Sequence, residues 1–330
     1  MGDYSPLVTV IMPAYNCEKY IREAIDSILN QTFIDFEFII INDGSKDRTN
    51  KILQSYQDPR IVVINNKRNL GIVKSLNKGL KLAKGEYIAR QDADDISLPE
   101  RLMKQVKYLD SRKNIGLLGC GVIEIDEYGS EKRRWEIKRD GEVIEFIAHG
   151  SVMMRADCIK QVDGYREELK HVEDKDLWYR IAIKFGVDIL GEYLYKLRRP
   201  IILSSITQAN NIWQNKYVQF AKELAEERRI KGKDKLDYLT KREIKKILPK
   251  LTFKERLQQR RLMSEQYLKG AIEYLKRHEK KIFLKYIWKS IMNNPFHYYA
   301  WVFLIENFIN RDLVRILEKV KRGLSGPKFL

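Results

Sequence analysis

Four carboxylates stand where a ligand of opposite charge would be held. Asp43 follows the apolar run 36–41, and Asp92, Asp94 and Asp95 follow the run 87–89. In open parallel sheets, ligands bind beyond the carboxyl ends of the strands. Four acids at such a place repel one another unless something positive neutralises them. A hard divalent cation shared with a diphosphate would do so, because it takes carboxylate and phosphate oxygens together. Asp43-Gly44-Ser45 by itself also reads as a turn, and Asp95 as a cap on the helix after Pro99. Asp92-Ala93-Asp94 is harder to dismiss, since alternate residues at a strand end point the same way. No Gly-x-Gly-x-x-Gly follows the first strand and no P-loop pattern occurs, so dehydrogenase and P-loop readings lose their main support.

The elements that must position these acids alternate. Residues 8–12, 36–41, 61–64, 87–89 and 115–119 are short apolar runs. Residues 18–31, 47–57, 72–83 and 99–111 have helical spacing. Strand–helix repetition predicts an α/β domain with a mainly parallel sheet and helices on both faces. Beyond residue 210 the strand runs stop. Helices are expected over 253–280, 282–293 and 296–309, the first two as an antiparallel pair, with a frayed end at 323–330. The sequence thus divides into a domain over 1–210 and an all-α extension over 211–330.

Charge follows the same division. Residues 1–210 hold 33 basic and 32 acidic side chains, while residues 211–330 hold 29 and 13, so the net charge of +17 belongs almost wholly to the extension. A basic helical segment carrying Trp213, Trp288 and Trp301 reads as a solvated cap or as a surface for the anionic face of a membrane. Nucleic acid is not expected, because no recognition motif appears. Three cysteines, Cys17, Cys120 and Cys158, lack metal-ligand spacing and cannot all pair, which fits a reducing cytoplasmic setting. The opening residues do not read as a signal peptide. The sixteen-residue charge-free stretch 290–305 is broken by two Asn, a Pro and a His, so a membrane span is not expected.

Val8-Thr-Val-Ile-Met-Pro-Ala-Tyr-Asn16, Ile41-Asn-Asp-Gly-Ser45, Asn69-Leu-Gly71, Gly85-Glu-Tyr-Ile-Ala-Arg-Gln-Asp-Ala-Asp-Asp95 and Glu173-Asp-Lys-Asp-Leu-Trp178 together resemble the family-2 inverting glycosyltransferases of GT-A fold. The resemblance covers roughly residues 6–207. It implies transfer of a sugar from a nucleotide-diphosphate sugar, favouring UDP, to an acceptor hydroxyl on a glycan, glycolipid or lipid-linked chain. It further implies a divalent cofactor, Mn2+ or Mg2+, and a place in cell-surface polysaccharide, glycolipid or glycoprotein glycan synthesis.

By the resemblance, Pro13, Ala14 and Tyr15 line the base pocket, with the Tyr15 ring against the uracil. Asp43 accepts from the base imide. Asp92, Ala93 and Asp94 form the Asp-x-Asp element at ribose and metal, Asp94 being the direct ligand, and Asp95 contacts sugar hydroxyls or caps a helix. Asp174 matches the general base, with Glu173, His149 and Trp178 on the acceptor side. A Tyr15 or Trp178 buried in the core, and a structural His149, are the bland alternatives. Two positions depart from the family's pattern. Leu76-Asn77 stands where many members have Arg-Asn, with Lys74 nearby to supply the charge. Pro200 stands where many have a metal-assisting His, leaving Arg198 or Arg199 to meet the diphosphate. A sugar nucleotidyltransferase would share the carboxylates but needs a Gly-rich basic loop where Ala14-Tyr15-Asn16-Cys17-Glu18 stands. A non-catalytic nucleotide-sugar binder would need no Glu173-Asp174 pair.

Overall fold

The computed structural model describes residues 5–137, 143–169, 172–199, 211–297, 300, 301 and 304. Most of the helix expected over 296–309, the end at 323–330, His171 and Pro200 lie outside them.

Four strands open the chain: β1 (Val8–Ala14), β2 (Phe36–Asn42), β3 (Ile61–Asn65) and β4 (Tyr87–Arg90). They are all parallel, in the order β3-β2-β1-β4. A parallel strand covered on both faces is largely apolar, and β2, Phe-Glu-Phe-Ile-Ile-Ile-Asn, is so apart from Glu37 and Asn42. Its Phe38 and Ile40 enter one core layer with Ile21, Ile25 and Ile28 of α1 (Ile21–Leu29) and Leu102 and Leu109 of α4 (Arg101–Ser111). Its Ile39 and Ile41 enter the opposite layer with Val73 and Leu76 of α3 (Ile72–Leu82). The expected helix over 47–57 shrinks to α2 (Thr49–Leu53).

The second half of the sheet adds antiparallel strands to the expected parallel framework. β5 (Ile96–Ser97), β6 (Ile115–Ile125), β7 (Glu131–Arg134), β8 (Met153–Arg155) and β9 (Gly186–Arg198) extend the order to β3-β2-β1-β4-β8-β6-β9-β5, with β7 beside β6. β8 is antiparallel to both β4 and β6, and β5 is antiparallel to β9. These strands were not legible because β5 and β8 have two or three residues, too few to show a period. α5 (Ala156–Gln161) and α6 (Glu173–Ala182) follow, and Leu177, Trp178 and Ile181 of α6 complete the second core layer.

The chain forms two compact units, and the division differs from the expected one at 210. The first joins Met1–Arg198 with Lys216–Leu248, and the second joins Arg199–Asn215 with Pro249–Leu330. Most of α7 (Asn211–Lys231) and all of α8 (Lys241–Ile247) therefore belong with the sheet. The reason is a buried ionic knot: Arg166 pairs with Asp234 (2.7 Å), Arg228 meets the same carboxylate (3.1 Å), and Asp234 is wholly buried. Removing both arginines from this knot would strand the buried Asp234 charge.

The second unit contains the expected antiparallel pair, α9 (Phe253–Lys276) and α10 (Lys280–Asn293). Thr252 and Glu255 form a capping box that starts α9, a pattern that satisfies two otherwise orphaned amides. Ser264 donates to the Ser290 carbonyl (2.9 Å), and Tyr274 stacks on Tyr286 at 5.7 Å.

Candidate active site

Asp43 and Asp92 are brought together by β1. Both β2 and β4 pair with it in parallel, so the residues after their carboxyl ends share one edge of the sheet. Asp43 N–H donates to the Ala14 carbonyl (2.8 Å), and Gln91 N–H to the Ile11 carbonyl (3.0 Å). Tyr15, just past β1, is 44% exposed, which removes the reading of a core aromatic. Pro13 is half-buried and Ala14 is buried beside it.

Asp43 does more than wait for a ligand. One carboxylate oxygen accepts from Asn66 Nδ2 (2.8 Å) and Leu70 N–H (2.9 Å), the other from Gly71 N–H (2.8 Å). The Asn69-Leu70-Gly71 turn is thus tied to the end of β2. Gly44 makes this approach feasible. Its φ is +72°, and a Cβ there would stand 2.5 Å from the Arg68 carbonyl carbon, a conformation and a clearance that favour glycine. A carboxylate has about four lone-pair sites, so one remains.

At the end of β4, sequence reasoning passed over the residue that matters most. Arg90 is 1% exposed, and its Nη1 lies 2.6 Å from Asp92 Oδ1. Its guanidinium nitrogens make no aligned hydrogen bond among the described residues. The charge is met by Asp92 instead. The same two-residue alternation that joins Asp92 to Asp94 puts Arg90 with Asp92, so the signal was present in Ala-Arg-Gln-Asp-Ala-Asp-Asp.

Asp94 is half-buried, and its carboxyl is pushed up to about 6, by burial first and then by the charge of Asp92. Ala93 is buried in the core and can offer a ligand only its backbone. Asp95 is 1% exposed and faces inward. It accepts from Arg198 N–H (2.6 Å) and the Tyr195 hydroxyl (2.9 Å), and burial followed by the neighbouring Asp94 charge holds its carboxyl well above the usual range. Asp95 therefore ties the acidic loop to β9, and neither a sugar contact nor a helix cap describes it. Arg198 is similarly committed: its Nε donates to the Asp94 carbonyl (2.8 Å), its Nη1 to the Asp126 carbonyl (3.2 Å), and its Nη2 to Glu23. The expectation that Arg198 meets a diphosphate gives way to a bracing role. Tyr195, missed in the sequence, also accepts from Asp92 N–H (3.2 Å).

The third wall comes from the far side of the sheet. His149 Nε2 lies 3.0 Å from the Tyr165 hydroxyl, and its ring sits edge-on to Trp178. Burial, and then Arg90, hold His149 well below its usual pKa, so it is neutral at pH 7. Gly150 follows because a Cβ there would stand 2.0 Å from the Tyr195 hydroxyl and 2.7 Å from an Asp92 oxygen. Asp174 lies in the first turn of α6, where the helix N-terminus favours an anion. Burial raises its pKa, and Lys175 and Arg90 pull it back. Glu173 is buried beside it. Asp176 faces away and pairs with Arg180 (2.6 Å). Trp178 is 0% exposed within the second core layer, so core packing replaces the expected sugar platform. Lys74 is exposed, and meets Glu167 at 3.6 Å.

The donor set fits a divalent cation in part. Asp92 and Asp94 are hard oxygen donors with a surplus of negative charge, although the described residues contain no group of three potential ligands. Mg2+-type sites commonly take one or two carboxylates and complete the shell with substrate phosphate.

Residues 9–169 match the family model described as glycosyl transferase family 2. An uncharacterized glycosyltransferase of Methanocaldococcus jannaschii is 43% identical over 208 residues, spanning 59% of this chain and 71% of that protein. EpsE of Bacillus subtilis, which carries a glycosyltransferase name, is 39% identical over 203 residues, spanning 58% of this chain and 73% of that protein. Among solved structures, S. aureus TarS in complex with UDP superposes with a TM-score of 0.54 at 19% identity, over 98% of this chain and 93% of that one. The mannosyltransferase PcManGT from Pyrobaculum calidifontis, in complex with GDP-Man and Mn2+, gives 0.52 at 17% identity, over 88% and 85%. These two speak to the fold.

If Asp43 holds the 66–71 turn, Asp43→Asn should cost about 1–3 kcal/mol, because an amide NH2 would face a backbone N–H. Urea unfolding without nucleotide measures this. An unchanged midpoint would assign Asp43 to ligand binding alone.

Proposed function

This chain belongs to glycosyl transferase family 2, with the GT-A fold, and from that premise we propose that it moves a sugar from a UDP-sugar to an acceptor hydroxyl with inversion at the anomeric carbon. The observation that carries the proposal is the strand-end acidic cluster: buried Arg90 pairs with Asp92 (2.6 Å) and Asp94 stands half-buried two residues on, at the sheet edge that also carries Asp43. Asp174, in the first turn of α6, is the candidate base.

The exposed Tyr15 ring supplies a face for the uracil, and the remaining lone pair of Asp43 a site for its imide. Asp94, with Asp92, would hold Mn2+ or Mg2+ against the diphosphate. Such a cation supplies Lewis-acid stabilisation of the departing UDP. Asp174 takes the proton of the acceptor hydroxyl as the new bond forms, a step open to a carboxylate within reach of the nucleophile. Neutral His149 and the Tyr165 hydroxyl bound the space beside it. Lys74 would add positive charge near Leu76, the position where many members of the family have an arginine. The metal-bearing mannosyltransferase and the UDP-bearing TarS support this reading by fold.

The acceptor belongs to cell-surface polysaccharide, glycolipid or glycoprotein glycan synthesis on this reading, and a lipid-linked acceptor would lie at a membrane. No helix among the described residues is long and apolar enough to cross one. The second unit offers a peripheral contact instead. Residues 249–330 hold 18 basic and 7 acidic side chains, and Trp288, Met292 and Phe296 are 54%, 61% and 93% exposed. Exposed apolar side chains among basic ones suit an anionic interface.

Asp174→Asn should lower kcat by about 10²–10⁴ while leaving UDP binding intact. Because burial raises the Asp174 pKa, the base is active above it. Activity should therefore rise with pH along a limb lying above the ordinary aspartate value of about 4. Assaying UDP release across pH checks both; normal turnover by the variant would remove the assignment. For the second unit, co-sedimentation at physiological salt should favour anionic over neutral vesicles, and equal partitioning would contradict an electrostatic mode.

A further inference from the structure

A groove of about 950 Å³ runs along α3, walled on the other side by α5 and the 163–168 loop. Lys74, Lys78 and Lys81 of α3 and Lys84 just beyond it line one side, and Lys160 and Lys241 also line it. At the helical rise, the α3 stripe presents a positive charge roughly every 4.5–6 Å. Like charges at this spacing repel, and the chain relieves few of them. Lys74 meets Glu167 at 3.6 Å, Lys160 meets Asp157 at 3.8 Å, and Lys78 donates to the Asn66 side-chain oxygen at 2.7 Å. The ammonium groups of Lys81, Lys84 and Lys241 make no ion pair among the described residues, although Asp163 and Glu168 also line the groove.

The groove reaches the catalytic cluster through Tyr165. The Tyr165 backbone is held at both ends by Asn77, which donates to its carbonyl (2.8 Å) and accepts from its N–H (3.0 Å). Its hydroxyl meets His149. A chain lying along α3 would therefore run past the segment that anchors the Tyr165–His149 pair.

We infer that this groove binds an anionic acceptor chain, a glycan or polyol bearing phosphate or carboxylate groups. The inference rests on the transferase reading for the word acceptor, and on the lysine-lined groove for the word anionic. Single-stranded nucleic acid is disfavoured by the lining, whose one aromatic, Tyr165, is buried, whereas such sites stack bases on exposed rings. The concave shape does not suit a bilayer.

The test is fluorescence anisotropy on the full chain with a short labelled inorganic polyphosphate, and with a labelled oligothymidylate of matched charge. Wild-type protein should bind the polyphosphate with an affinity that falls as salt rises. The combined variant Lys81→Gln, Lys84→Gln, Lys160→Gln should bind about tenfold or more weakly, with the salt slope reduced by about 2–3. These three lysines lie outside the donor site, so thermal stabilisation by UDP should be unchanged, which also reports that the variant is folded. The charge-reversed triple, with Glu at each position, should abolish binding. No binding by the wild type, equal binding by the variants, or tighter binding of the oligothymidylate would overturn the inference. UDP-sugar hydrolysis on the same protein reads the transferase assignment separately. Polyphosphate binding without hydrolysis would overturn the acceptor role and leave only an anion site.

Discussion

The contact between Arg90 and Asp92 is the constraint on which the rest of the site depends. Three aspartates follow β4 within four residues, and a sheet edge gives them little water. Their mutual repulsion has three outlets in the structure. Arg90 takes the charge of Asp92 from beneath. Asp95 turns inward and spends its oxygens on β9. Asp94 is left half-buried, with its pKa raised to about 6 by burial first and then by the charge of Asp92. A cation-bridged diphosphate is the partner of matching chemistry, and the family assignment makes it the expected one.

Holding this arrangement takes elements from the whole first unit. Arg101 of α4, itself fully buried, donates to the Arg90 carbonyl (2.7 Å), the Ser97 hydroxyl (2.8 Å) and the Gly150 carbonyl (3.0 Å). The acidic loop is thereby fixed on one side by a helix and on the other by Tyr195 and Arg198 of β9. These contacts are polar and mostly long-range in sequence, and together they brace the loop from both sides. That preorganisation suits charge stabilisation in transfer chemistry, where donors and acceptors must stand in place before the reaction.

Much of this was legible in the residues. The parallel β1–β4 core follows from continuous apolar runs, and the strand-end acids follow from their position after those runs. Asp174 was singled out as a candidate base by resemblance to the family, and the structure puts it in the first turn of α6. Three things were hidden for physical reasons. β5 and β8 are too short to display a period. The inward turn of Asp95 depends on Arg198, more than a hundred residues away, and no local pattern encodes such a pairing. Trp178 and an exposed sugar platform look alike in sequence, since an aromatic in a helical stripe serves either use. The inclusion of 216–248 in the first unit likewise rests on Arg166 and Asp234, charged residues that composition assigns to a solvated surface.

The most direct measurement is calorimetric titration of UDP into the wild type and Asp94→Asn, each with and without Mn2+. The account predicts that Mn2+ tightens UDP binding to the wild type and that Asp94→Asn loses this increment while keeping its metal-free affinity. UDP affinity indifferent to Mn2+ in the wild type, or an increment preserved in the variant, would contradict the claim that these acids hold a cation-bridged diphosphate.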